Sequence, residues 1–360
     1  MNSKITDKQA LIIVILFTIG TSIVNTPGRI AKENAWISII LAFIIFIPIA
    51  LMYSRILEKF PGKNIFQICD TVLGKFFGKI FNLLFTLHFF ITAAALLRNL
   101  GDFIYGIGPP ETPMEVNMIS LGLLGILGLY GGINILGRWS IIMFPIILFI
   151  LLIPFPFLIP QMKIDKLLPV MYNGISPVIK GSLSTLSFPI TQSFVFLMVF
   201  ENIRDVKSFK NILLKGVFIG TLVLLIVVFG ILLTIGGKNY VNAYLTSVVA
   251  LRRLTIGKLF ERVEIIILQT FVYTIFLKFS IMFIATMKGI GHIFNLKNYK
   301  AISPIIIFLA ASIGYILYSN SMEGIEFIIN VWPPYGLTFQ VVLPFILWII
   351  SELKTKFSLS

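Results

Sequence analysis

Apolar blocks of about 17 to 25 residues recur along this 360-residue chain, each long enough to cross roughly 30 Å of hydrocarbon. No water-soluble core can shelter so much apolar surface. Hydrophobic residues make up 58% of the sequence, charged residues 12%, and the mean hydropathy is +0.98, whereas soluble domains carry about twice that charge. Backbone polar groups in lipid must be satisfied within the span, and blocks of this length do so as helices. The expectation is an all-α integral membrane protein with about ten transmembrane helices, near residues 10–30, 36–54, 81–105, 115–136, 140–159, 180–201, 211–236, 263–287, 301–318 and 336–352.

The first block is not followed by a small-residue cleavage site, so it reads as a span rather than a signal peptide. A net charge of +14 would suit nucleic acid on a soluble chain, but here the basic residues gather in alternate connections, as the positive-inside rule describes. They are densest in Arg55 to Lys79 and Arg204 to Lys215, whereas Gly108-Pro109-Pro110-Glu111 and Glu323 to Glu326 carry none. This predicts both termini on the cytoplasmic side and no nucleic-acid partner. Residues 238–262 run against the rule, and Val248, Leu251, Leu254 and Leu259 among their charges suggest an amphipathic surface helix. The single cysteine, Cys69, excludes an internal disulfide and a cysteine metal cluster, and neither a metal nor a cofactor is expected.

Ten spans divide into two sets of five, and an odd number per set turns the second upside down. The sequence is accordingly read as one membrane domain, 1–360, made of a 5+5 inverted repeat with halves 1–160 and 161–360. In such a fold the binding site is marked by interrupted spans at equivalent positions. The first span is interrupted at Gly20, Thr21 and Ser22, before Asn25-Thr26-Pro27-Gly28, and the sixth at Ser187, Phe188, Pro189, Thr191 and Gln192. Singly, Gly20 could be a close-packing site and Pro189 a kink; together, at matched depth, they point to a ligand site. N–H groups freed after Gly20 would favour a carboxylate and freed carbonyls an ammonium, a polarity that suits a zwitterionic amino acid.

Ionisable groups at membrane depth are expensive and become functional candidates. Lys278 lies ten residues before Lys288, hence about 15 Å deep, too far for easy snorkelling. Arg98 and Asp102 share one face of the third span at i, i+4, either as a structural ion pair or as a gate. Lys278, Arg98 and Asp102 are therefore the coupling and gating candidates. His88 reads as a packed histidine, Glu201 as a solvated or paired end residue, Glu261 and Glu264 as helix-start acids, and Trp36, Trp139, Trp332 and Trp348 as an interfacial belt. No hydrolase, zinc-protease or phosphate-loop motif is present, so an enzyme is not expected.

Thr18-Ile19-Gly20-Thr21-Ser22 through Pro27, Phe60-Pro61-Gly62-Lys63, Leu97-Arg98-Asn99-Leu100-Gly101-Asp102-Phe103 and Phe260-Glu261-Arg262-Val263-Glu264 together resemble the B subunit of spore germinant receptors, over essentially the whole chain. That resemblance implies a permease of the amino acid–polyamine–organocation superfamily, with a LeuT-like fold and broken first and sixth spans. It implies a nutrient sensor in the inner membrane of a bacterial spore, binding a small nutrient such as an amino acid and working with an A-type membrane subunit and a lipoprotein C subunit. It also implies that Lys278 stands where a coupling sodium ion links the first and eighth spans in related transporters. The alternative is amino acid transport coupled to protons or sodium.

Overall fold

A computed structural model describes residues 5–107, 112–201, 203, 205–253 and 264–357. The turn at 108–111, Arg204 and the whole stretch 254–263, with Leu254, Leu259 and Glu261, lie outside the described residues. Among those described, the chain is helical, and its only strand-like pairing is an isolated bridge between Ile5 and Ile203.

Among the described residues, eight helices are long and apolar enough to cross a membrane. The broken first span, Asp7–Ile19 continuing through Gly20–Ile23, adds a ninth. The tenth comes from a corner at Gly132 inside Met114–Leu152, where φ is 68° and ψ 179°, a region open essentially to glycine alone. Gly74 shows what such a residue does, having φ 78° and ψ 177°. Across it Asn82 Nδ2 donates to Asp70 Oδ1 at 2.9 Å, whereas twelve residues of continuous helix would separate the two by about 18 Å. The chain has folded back on itself, and the same angles at Gly132 divide 114–131 from 133–152. The boundary between the fourth and fifth spans thus lies earlier than residues 137–139, and the third span begins at residue 75 rather than 81.

Tight crossings follow from small residues, as they must in lipid where apolar attraction between helices is weak. A Cβ at Gly125 would fall 2.2 Å from the Phe279 ring, at Gly128 2.5 Å from Ser280 Oγ, and at Gly216 2.6 Å from Val14 Cγ1. These contacts seat the seventh span against the first and the fourth against Glu264–Ile293, whose Leu277, Phe279, Ile281 and Phe283 are fully buried.

Two expectations change. The amphipathic surface helix of 238–262 is, in its described part, the short helix Thr246–Leu251, with Val248 and Leu251 buried and Ser247 Oγ donating to Ile23 O. Its apolar side meets protein rather than a membrane surface. Trp332 is 5% exposed and packs beside the sixth-span break instead of joining an interfacial belt, because the tenth span begins near Ser321 rather than at 336.

Candidate functional site

The first helix stops at Gly20, whose φ of 30° and ψ of −127° take the chain out of the α-helix after its N–H has bonded Leu16 O. Glycine is required there on two counts. A side chain resists that backbone angle, and a Cβ would lie 2.8 Å from Lys278 Cδ and 3.4 Å from Lys278 Nζ. Opposite, the sixth span runs helically through Ser176–Thr185, turns extended at Phe188 (φ −148°, ψ 116°) and resumes as a tight helix at Thr191–Val195. Pro189 lacks the N–H that would continue the ladder.

Lys278 reaches the gap between the two breaks from the eighth span. It is fully buried, and its ammonium lies 5.1 Å from the centroid of the Phe17 ring and 4.7 Å from that of Phe188. Two ring faces are a weak cage for a cation, about 0.5–2 kcal/mol each. Among the described residues Nζ has no hydrogen-bond acceptor. Gly20 O does not accept from it, being bonded instead by Thr274 Oγ1 at 3.0 Å. In the two breaks themselves, Thr21 Oγ1, Ser22 Oγ, Gln192 Oε1 and Ser193 Oγ are likewise buried without a partner among the described residues. Buried polar atoms are normally satisfied, so each break carries polar groups free to meet a ligand.

Phe188 also walls two small adjoining cavities. The first is lined with Asn25, Thr92, Asn99, Gln192, Tyr318 and Trp332, the second with Thr26, Arg29, Ser184 and Tyr244. Of the eight ligand candidates, Phe188 and Gln192 line cavity, Gly20, Thr21 and Ser22 form the facing break, and Ser187, Pro189 and Thr191 shape the sixth-span break from behind. Ser187 Oγ bonds Ser184 O, and Ser187 O accepts from Trp332 Nε1 at 3.4 Å. Thr191 Oγ1 meets Gln340 Oε1 at 2.6 Å, and Gln340 Nε2 meets His88 Nε2 at 3.2 Å. Tyr53 OH donates to Gln340 O. His88 is packed, as its sequence context suggested, stacking on Phe339 with centroids 5.3 Å apart, but it also belongs to this polar link between the third, sixth and tenth spans.

Arg98 and Asp102 pair at 2.9 Å and are 4% and 8% exposed. Tyr244 and Tyr318 each donate to Asp102 Oδ2 at 2.7 Å, and Arg98 donates to Tyr315 O at 2.5 Å and lies 4.2 Å over the Tyr318 ring. Burial, with the Asp102 carboxylate beside them, pushes both phenols well above their ordinary range, so they remain donors. Arg29 donates to Ala243 O and Tyr244 O at 2.9 Å each. These bonds tie the first and third spans to residues 243–246 and to the end of the ninth span, on the face away from the termini. On the terminal face Glu201 bonds Lys288 at 2.5 Å and Asn64 at 2.7 Å, while His292 meets Asp70 at 2.7 Å.

Sequence reasoning missed Gln340, Tyr244, Tyr318 and Trp332. A lone amide in an apolar run marks Gln340; Tyr244 and Tyr318 stand in connections, where polar aromatics carry no signal, and the prolines after Trp332 make its segment read as a connection too.

A family model described as spore germination protein matches residues 4–323. Spore germination protein KB of Bacillus subtilis is 25% identical over 98% of this chain and 96% of its own length. Spore germination protein B2 of the same organism is 25% identical with the same coverage. Among solved structures, a nucleobase-cation-symport-1 family transporter with bromovinylhydantoin bound has a TM-score of 0.70 at 10% identity, covering 96% of this chain and 77% of that one. A manganese transporter of Eremococcus coleocola has a TM-score of 0.57 at 13% identity, covering 96% and 84%.

Proposed function

On the premise that this chain belongs to the spore germination protein family and has the LeuT-like transporter fold, we propose that it is the nutrient-binding membrane subunit of a germinant receptor in the spore inner membrane. The nutrient is a small zwitterion, an amino acid, held between the breaks at Gly20 and Phe188. The observation that carries this reading is the fully buried Lys278 ammonium, unpaired among the described residues and in contact with Gly20 and Phe188 of the two breaks, whose Thr21, Ser22 and Gln192 side chains are unpaired there as well. An uncompensated buried cation is strongly unfavourable, and a ligand carboxylate relieves it, while Gln192 Oε1 offers an acceptor for the ligand ammonium. Lys278 thereby couples occupancy to the arrangement of the halves 1–160 and 161–360, and Arg98 with Asp102 gates entry from the face away from the termini. The A-type membrane subunit and the lipoprotein C subunit receive the change.

The fold likeness to solved transporters favours one second reading, a proton- or sodium-coupled amino acid transporter. Labelled amino acids offered to vesicles containing this chain alone separate the two. Binding without accumulation is the receptor outcome; concentrative uptake abolished by an ionophore is the transporter outcome.

A further inference from the structure

Away from the ligand site, the second span, Ala35–Lys59, meets the tenth along a groove with about 1180 Å³ of empty space. Leu51 and Met52 form one wall, Val341 and Phe345 the other, and Arg55, Glu58 and Lys210 stand at its terminal-face end. Three features of the groove bear on its occupant. From Pro48 to Glu58 it follows ten residues, about 15 Å of helix, which is half of a hydrocarbon core of roughly 30 Å. Both of its walls are exposed and apolar, Phe345 being 46% and Leu51 41% exposed, so it opens sideways toward lipid rather than inward. Its end is cationic: Lys210 is exposed with no ion-pair partner among the described residues, and Arg55 shares the single Glu352 carboxylate with Lys59, at 3.1 and 2.8 Å.

We propose that this groove is a phospholipid site, with an acyl chain lying between the second and tenth spans and the lipid phosphate held by Lys210 and Arg55. Glu58 at the same mouth is an acceptor for a headgroup hydroxyl or ammonium. A free phosphate would use the two cations but not an apolar wall as deep as one leaflet, and that depth is what assigns the site to lipid. Basic residues near anionic headgroups contribute about 1 kcal/mol each, so each cation removed should weaken retention about fivefold.

The test is native mass spectrometry of the purified chain with added dioleoyl phosphatidylglycerol. Wild type should hold one phosphatidylglycerol in preference to phosphatidylcholine, Lys210→Gln and Arg55→Gln should each lower its retention about fivefold, and Leu51→Trp should reduce retention by filling the groove. Monodisperse elution of each variant shows that it is folded. Equal retention by wild type and all three variants overturns the proposal, as does displacement of the lipid by inorganic phosphate. Absence of any retained lipid also overturns it and assigns the face to an apolar partner helix.

Discussion

At the scale of single residues, Gly20 and Lys278 form one contact, and both were conspicuous in the sequence for the same reason: each is costly in lipid unless used. The contact itself could not be read, because 258 positions separate them and nothing in the pattern fixes which face of the eighth span meets the break. The absent Cβ makes room for the Lys278 stem, so Gly20→Leu is expected to abolish the nutrient response of spores at normal protein abundance. Gly20→Ala should weaken it, having both a strained φ and a carbon 2.8 Å from Lys278 Cδ. A normal dose response in Gly20→Leu would make this glycine a packing residue only. Lys278→Met removes the buried charge and is expected to leave the protein in the membrane with its response either locked off or independent of nutrient. Lys278→Arg should not restore regulation, since a planar fork of five donors does not fit between two rings and the bare backbone at Gly20. Dose responses with immunoblots of subunit levels decide this, and wild-type sensitivity in Lys278→Met would exclude a coupling role.

At the scale of elements, the breaks in the first and sixth spans were legible because glycine, proline and hydroxyl residues cluster at matched depth. The corners at Gly74 and Gly132 were not, because Gly74 sits in a basic stretch that reads as a connection and glycines such as Gly131 and Gly132 are ordinary in membrane helices; backbone angles near φ 70° and ψ 180° distinguish them. The tenth span was read too short for a related reason: Trp332-Pro333-Pro334 looks like a connection, yet proline is tolerated at a helix start. That segment holds the sixth-span break from behind through Trp332 and Gln340. Gln340→Leu leaves buried His88 and Thr191 groups without their shared partner. It should destabilise the protein by about 1–3 kcal/mol and shift the nutrient dose response to higher concentration. Thermal unfolding in detergent and spore germination assays measure the two, and no change in either would mean that the amide link is idle.

For the whole molecule, the all-helical membrane architecture followed from composition, whereas the sidedness of the faces rests on charge alone. Single cysteines at Lys63 and Lys207 are expected to be shielded from an impermeant outside reagent and one at Glu323 to react; equal labelling at all three would refute the arrangement with both termini inside. The gap around Lys278 lies between two tied faces. The Arg98–Asp102 pair with its two tyrosines closes one, and the Glu201–Lys288 pair with Asn64 belongs to the other. If the gap holds the proposed nutrient, a ligand entering or leaving must wait for one of these clusters to part, an event whose rate does not depend on how much ligand is outside. Binding should then slow to a ceiling as concentration rises, set by the opening rate rather than by diffusion. Tyr318→Phe, which removes one of the bonds to Asp102, should raise that ceiling in a rapid-mixing experiment, so that the strength of the closed knot, more than affinity, sets how long the molecule takes to notice its nutrient.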